Sequence, residues 1–521
     1  MLAAAAASLA LAPSAFAGGT STGADFNGDG YGDLAIGAPL EDVEGQNQGV
    51  VHVFFGSAAG LTATANQLLR DCTDCYTERD RFGTALASGD FDGDGFDDLA
   101  ASELREGDFG SVHIFHGGPN GLGRWRGGHG YFSQASYGVP GGLEIGDGFG
   151  SVLAAGDFDF DGYDDLAIGV PGEDVGSIVD AGAINVIFGS KNGLRGSGSL
   201  LIHQDTKYSN GTGVLDEAEA FDRFGEALVA ADFGNGPSAD LVVGVPREDR
   251  NGKQNSGFVH VFYGADDGFA ASGDQGLYQN GPVPGDEEAG DFFGASLAAA
   301  NFGGTYHADL AIGVPFESVG TVPQAGAVNV VYGTDGGLQA VGAQLWHQDI
   351  DGVEDQAEPY DLFGSALTAG YFNSDTFADL AAGAYWETVG SVVHAGAVNV
   401  IHGSQGGLSQ NVIADQLWYQ DIVGTSERSE AEDGFGRTLS AGDFDGDGRW
   451  DELVVGVPSE DLGGLRAGVV IENAGVVHVL RGGPSGLGGL PGNQLWHQNV
   501  AGIEDIADAN DQFGSALPTV P

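Results

Sequence analysis

The chain has 521 residues, of which 75 are acidic and 18 basic, a formal net charge of −57. That charge excludes nucleic acid and anionic membrane as partners, since both are polyanions; it also fits a saline habitat. With 93 glycines, 30 phenylalanines and no long run of helix formers, the chain reads as all-β, short strands alternating with Gly/Asp/Asn turns.

Residues 1–17 read as a secretion signal, apolar over Leu2–Ala12 and ending in Ala15-Phe16-Ala17. The basic residues that usually open such a signal are missing, which points to a truncated start. No later stretch is long and apolar enough to span a bilayer. The mature protein is therefore expected outside the cell or at its surface, with the periplasm as the alternative. Gly19–Gly23 has the G-x-S-x-G spacing, but it lies at the mature N-terminus and not at a strand-to-helix elbow, so it is discounted.

Asp25–Ile36 (DFNGDGYGDLAI) is the first of seven related loops, and Asp90–Leu99 (DFDGDGFDDL) shows the pattern most clearly. Aspartates at loop positions 1, 3, 5 and 9 converge on one point, and glycine at position 6 permits the bend. Such a set of oxygens suits calcium. No glutamate follows at position 12, so the acid at position 9 must close the shell, in a strand–loop–strand setting. Loops begin at Asp25, Asp90, Asp157, Asp232, Asn301, Tyr371 and Asp443. Four sets carry a full complement: Asp25, Asn27, Asp29, Asp33; Asp90, Asp92, Asp94, Asp98; Asp157, Asp159, Asp161, Asp165; and Asp443, Asp445, Asp447 with Asp451 or Glu452. The fourth loop (Asp232, Gly234, Gly236, Asp240), the fifth (Asn301, Gly303, Thr305, Asp309) and the sixth (Tyr371, Asn373, Asp375, Asp379) lack ligands. About four calcium ions are expected, each bound at roughly 10⁻⁴–10⁻³ M, in neighbouring units of a ring. Solvated Asx-turns are the alternative for the same acids.

Cys72 and Cys75 are the only cysteines, and in an exported chain they read as a local disulfide. A zinc site would need further ligands nearby.

Seven Phe-Gly pairs start at Phe82, Phe149, Phe224, Phe293, Phe363, Phe435 and Phe513, each but the last about eight residues before a loop. Loops and pairs are out of phase: the chain begins with a loop lacking its pair and ends with a pair lacking its loop. A closed ring of seven four-stranded units explains this, the C-terminal strand completing the unit that the N-terminus begins. The units are drawn as 18–81 with 513–521, then 82–148, 149–223, 224–292, 293–362, 363–434 and 435–512. Within each, a Phe-Gly strand leads to the loop, then to an apolar strand such as DLAIGVP (Asp165–Pro171). A third strand follows, such as GAINVIFGS (Gly182–Ser190), and then a segment such as QLWHQD (Gln344–Asp349).

The histidines recur at equivalent places, which marks them as blade-building. His52, His113, His260 and His478 share one position; His347 and His497 share another with Tyr419, and His203 stands in the related LIHQD. His116 and His402 stand where Phe55 and Phe188 stand, and His307 lies in a degenerate loop. Only His129 and His394 have no repeat counterpart, and neither has a catalytic motif beside it. No catalytic residue is assigned. One glutamate recurs in all seven units: Glu41, Glu106, Glu173, Glu248, Glu317, Glu387 and Glu460. It reads as an acceptor of loop backbone N–H groups, with an anionic ring facing a cationic ligand as the alternative.

FG, DxDxDG and GAP/GVP, in that order in most units, resemble the FG-GAP repeat family, the seven-bladed propeller of the integrin alpha-chain head. The resemblance covers essentially the whole mature chain. It implies that the Phe-Gly strand is innermost, that the calcium loops share one face, and that the other face carries the ligand-contacting loops. Similar repeats occur in secreted bacterial proteins and in a non-catalytic portion of the phospholipase D that cleaves glycosylphosphatidylinositol anchors. The function expected is a monomeric, exported adhesion or ligand-binding module, whose protein or glycan ligand the sequence does not name. The alternatives are a secreted hydrolase or lyase with a channel active site and a structural matrix protein.

Overall fold

The structure is a computed structural model and describes residues 24–43, 46–70, 80–104, 109–123, 130–207, 212–265, 268–269, 274–281, 283–409, 411, 413–463, 470–488 and 492–518. The leader, Cys72, Cys75, Glu106 and His129 lie outside the described residues.

Seven antiparallel sheets follow one another along the chain, each with its strands in sequence order. The third is representative: Leu153–Gly156, Asp165–Val170, Ala183–Phe188 and Arg195–Ile202. Its second strand is buried along its whole length. The reason is that apolar side chains on both faces of this strand meet a neighbouring sheet. Phe158, Ala167 and Val186 of the third sheet thus share a core with Leu241, Val243 and Phe262 of the fourth. Among the described residues helix is limited to one short 3₁₀ turn, Gln420–Ile422. Two small hairpins, Asp42–Val43 with Gln46–Asn47 and Leu462–Gly463 with Val470–Ile471, stand beside the seven sheets.

The Phe-Gly pairs join successive sheets. The Phe224 amide donates to the Ala181 carbonyl of the preceding blade (2.9 Å), and the same bond recurs from Phe363 to Ala325 (2.9 Å) and from Phe435 to Ala395 (2.8 Å). The glycine that opens GAP or GVP (GAY in the sixth blade) faces the next blade's Phe-Gly carbonyl: a Cβ on Gly37 would press on Gly83 O, and one on Gly383 on Gly436 O.

The first sheet contains three named strands, Leu34–Ala38, Val50–Phe55 and Thr62–Leu69. Its inner edge is taken by the C-terminus. Gly37 N donates to Ala516 O (2.9 Å), and Gly514 N donates to Gly37 O (3.1 Å). Phe513 is fully buried in a cluster with Leu34, Ile36 and Phe54 from the first sheet and Val454, Val477 and Trp496 from the seventh. The molecule is a closed seven-bladed β-propeller.

Candidate metal centre

The loops between first and second strands emerge together at one end of the blades. In the first loop Asp25 turns its carboxylate inward and caps the turn, accepting from Gly28 N (2.7 Å) and Gly30 N (2.9 Å). Asp90 does the same for Gly93 N (2.7 Å) and Gly95 N (3.0 Å), and Asp157 for Asp161 N and Gly162 N (both 3.0 Å). Gly95 has φ +88° with open space around its Cβ position, so the left-handed backbone and not crowding calls for glycine there.

The position-9 acid opens the second strand and is buried. Asp165 accepts from Phe158 N (2.9 Å) and Gly189 N (2.8 Å), and Asp33 accepts from Phe26 N (2.9 Å) and Gly56 N (3.0 Å). Burial, more than the neighbouring acids, pushes both carboxyls up to about 8. A divalent ion beside them would offset that cost.

Carboxylate oxygens of Asp157, Asp159 and Asp165 lie within 4.8 Å of one another, as do those of Asp90, Asp92 and Asp94. Asp159 Oδ1 is buried without a hydrogen-bond partner. An acceptor-only oxygen in that position fits a hard cation, so the residues present suit the ion expected from their spacing.

In the seventh loop, Asp443 accepts from Asp447 N (3.0 Å) and Gly448 N (2.8 Å). Glu452, not Asp451, takes the register place of Asp98 and Asp165: it pairs with Gly442 as Asp98 pairs with Gly89, and Phe444 N donates to its Oε2 (3.1 Å). The extra loop residue is absorbed by the longer side chain. Asp451 lies next to it, with a buried Oδ1 that has no hydrogen-bond partner.

The fourth, fifth and sixth loops meet protein donors instead. His307 lies 3.4 Å from Asp232 and 3.1 Å from Asp335. Asn301 Nδ2 donates to Thr305 O (2.8 Å), and Asn373 Nδ2 donates to Asp375 (3.0 Å). His402 Nδ1 lies 3.2 Å from Asp379.

Two kinds of residue at this end escaped sequence reasoning. Asp97 and Asp164 precede the closing acids of their own loops and reach back to the loop before, accepting from Asp25 N (2.7 Å) and Asp90 N (2.9 Å). The doubled aspartate of DDL was the available signal. The second kind is the residue that ends or directly follows the third strand. It is Phe55 and Phe188 in the first and third blades, Tyr263 and Tyr332 in the fourth and fifth, and His402 in the sixth. In the second it is His116, whose Nδ1 is 3.0 Å from Asp98 Oδ2 and 3.5 Å from Asp92 Oδ2. In the seventh it is Arg481, which ion-pairs with Asp445.

The histidines build blades. His52 and His478 are fully buried, which lowers both imidazoles to about 3. His394 proves to have repeat counterparts: like Asp180, Asn255, Gln324 and Asn473 it takes a left-handed turn before the third strand, and its carbonyl accepts from Gly434 N (3.2 Å). Its ring lies 3.0 Å from Glu432 and stacks on Trp386.

The FG-GAP repeat model matches residues 16–54, 82–115, 149–187 and 435–480, the four blades with full carboxylate sets. Phosphatidylinositol-glycan-specific phospholipase D of Rattus norvegicus is 34% identical over 177 residues, 33% of this chain and 19% of that protein. Integrin alpha-4 of Xenopus laevis is 36% identical over 151 residues, 28% of this chain and 13% of that protein. The matched stretch thus spans a fifth or less of these relatives' length. Among solved structures, AofleA from Arthrobotrys oligospora has a TM-score of 0.34 at 11% identity, covering 82% of this chain and 90% of that one. The V. cholerae biofilm matrix protein Bap1 has a TM-score of 0.30 at 12% identity, covering 84% and 87%; scores this low carry no functional weight. Among the described residues no helix is long and apolar enough to cross a membrane. Phe-Gly pairs that bond each blade to the one before it, and the matches to the repeat itself, make this chain an FG-GAP repeat protein, an integrin-alpha-like seven-bladed β-propeller.

Proposed function

We propose that the protein is an exported, calcium-stabilised propeller that serves as an adhesion or ligand-binding module outside the cell. The observation that carries the metal reading is the third loop, where three carboxylates converge around the unpartnered Asp159 Oδ1. Asp157, Asp159, Asp161 and Asp165 would hold one ion, and the equivalent sets Asp25, Asn27, Asp29, Asp33 and Asp90, Asp92, Asp94, Asp98 two more. Asp443, Asp445, Asp447 and Glu452 would hold a fourth, in competition with Arg481. Calcium would supply positive charge where clustered carboxylates repel, turning that repulsion into a rigid loop.

Adhesion rests on the kinship with integrin alpha chains; the phospholipase D relatives show that the same repeat serves inside an enzyme of another kind. Calorimetric titration with calcium tests the metal reading: about four sites are expected, and none would overturn it. An array of glycans and matrix proteins tests the module. Saturable binding is the expected result, and turnover of an arrayed polymer would replace this reading with a secreted hydrolase or lyase.

A further inference from the structure

Buried polar groups that recur from blade to blade belong to the fold. The recurring glutamate is one. Its partner is not the loop backbone expected from the sequence but a glutamine amide from just beyond the preceding blade's fourth strand. Gln204 Nε2 donates to Glu248 (2.5 Å) and Gln348 Nε2 to Glu387 (2.7 Å). The oxygen left over on these amides is likewise shared around the ring. The second carboxylate loop departs from the repeat at one atom.

The acid that opens each second strand has two oxygens with fixed tasks. One accepts from the glycine beyond the third strand, as Asp33 does from Gly56 N (3.0 Å) and Asp165 from Gly189 N (2.8 Å). The other accepts a loop amide. Its donor is Phe26, Phe158, Phe233 or Phe444 at 2.9–3.1 Å, and Gly303 or Asn373 at 3.1–3.2 Å in the fifth and sixth blades.

Asp98 is the exception. Its Oδ1 keeps the bond from Gly117 N (2.9 Å), but Phe91 N donates to Gly89 O instead (3.1 Å). Asp98 is 1% exposed, and its Oδ2 has no hydrogen-bond partner. That oxygen faces His116 Nδ1 at 3.0 Å, outside hydrogen-bonding geometry, and Asp92 Oδ2 lies 3.5 Å from the same nitrogen. The ligand atoms of Asp92, Asp98 and His116 all lie within 4.8 Å of one another. Atoms bound to one ion through bonds of about 2.1 Å stand roughly 3.0–3.4 Å apart, so this spacing suits a shared ion.

His116 is held where it stands. Its backbone exchanges bonds with Gly123 (2.9 and 2.8 Å), and its ring lies against the third blade, where a Cβ on Gly193 would stand 3.0 Å from Cε1. Sibling positions offer nothing comparable. Phe55 and Phe188 carry no donor atom, and His402 meets an Asp379 whose two oxygens already accept from Gly403 N and Asn373 N. With its proton on Nε2, the His116 imidazole presents a lone pair at Nδ1. Calcium takes oxygen ligands, whereas an imidazole with two carboxylates suits zinc.

We propose that Asp92, Asp98 and His116 form a site for a zinc-class divalent ion, so that the second loop takes a different metal from the first and third. This rests on the reading of the loops as metal sites and changes the ion at one of them. Three protein ligands leave a fourth position for water. Asp92 also belongs to the group with Asp90 and Asp94, so zinc and calcium exclude one another in this loop.

The full chain dialysed against calcium chloride, and then against calcium chloride with zinc chloride, tests this by elemental analysis. The parent is expected to gain one zinc ion and lose one calcium ion; no zinc retained overturns the proposal. Calcium counted before zinc is added reports on the loops alone, so the two readings fail separately. His116→Phe installs the residue of the first and third blades. It should keep the calcium count and bind zinc at least roughly a hundredfold more weakly, since losing a partner that merely orients a ligand already costs 10–100-fold. Unaltered zinc binding in that variant, or its loss in His402→Phe, overturns the assignment. Should His116→Phe fail to fold, the parent loaded with cobalt(II) chloride decides by proton NMR. One imidazole N–H should move outside the diamagnetic range, and the absence of such a signal overturns the site.

Discussion

The amide of Gly37 donates to the carbonyl of Ala516 at 2.9 Å, which makes the last strand of the chain the inner edge of its first sheet. Removal of residues 513–521 should therefore weaken the whole ring and not only its end. Truncation takes the fully buried Phe513 from the core between first and seventh blades, a loss of about 3–5 kcal/mol for the ring alone. Thermal unfolding should show a melting temperature lower by roughly 3–5 °C for that loss. A truncated protein as stable as its parent would show that the bridge contributes nothing.

The seventh loop offers a gain of function. Arg481 sits beside Asp445 where the first and third blades have phenylalanine. Arg481→Phe removes the competing charge, and calorimetry should find calcium bound at one site roughly tenfold more tightly, as expected when the net ligand charge rises.

Chelation should lower the melting temperature of the parent. An ion at 100 times its dissociation constant stabilises by about 2.7 kcal/mol per site, so four sites predict a large shift. Asp159→Asn should reduce the shift by one site's share, read by calorimetry in calcium and in chelator.

Gly383→Ala should destabilise without touching any metal. Its Cβ would press on the Gly436 carbonyl of the next blade, which is backbone and yields little. A cost of about 1–3 kcal/mol is expected from overpacking at such a contact, measured by denaturant unfolding.

Stability should fall as pH rises in the presence of chelator. Burial, more than its acidic neighbours, pushes the Glu317 carboxyl up to about 8 against an ordinary 4.5. Between those values the folded state binds more protons than the unfolded one, so raising the pH favours unfolding. Denaturant midpoints measured from pH 5 to 8.5 should decline, and Glu317→Gln, which has no proton to lose, should flatten the decline.

The ring was legible in the sequence because its signal is periodic: Phe-Gly pairs and acidic loops out of phase by one unit leave closure as the economical arrangement. The loop acids were legible for the same reason, since Asp157, Asp159, Asp161 and Asp165 are close in sequence and a turn suffices to gather them. What the sequence concealed is what joins segments distant in the chain. His116 and Arg481 were visible as substitutions at an aromatic position, but only the third strand's pairing aims them at acids many residues away. Glu248 was visible as a repeat, but its partner Gln204 belongs to the preceding blade's last segment. His394 was set apart from the repeat because its counterparts are Asp180, Asn255, Gln324 and Asn473. What that position holds constant is a left-handed backbone and not a side chain.

The seam has a bearing on biosynthesis. Residues 34–38 are made well before 514–516, so the growing polypeptide carries an unpaired inner edge until that later segment emerges. An edge of that kind is a template for pairing with a second chain. The order of synthesis thus leaves a long interval in which a cell must shield Leu34–Ala38 from its neighbours.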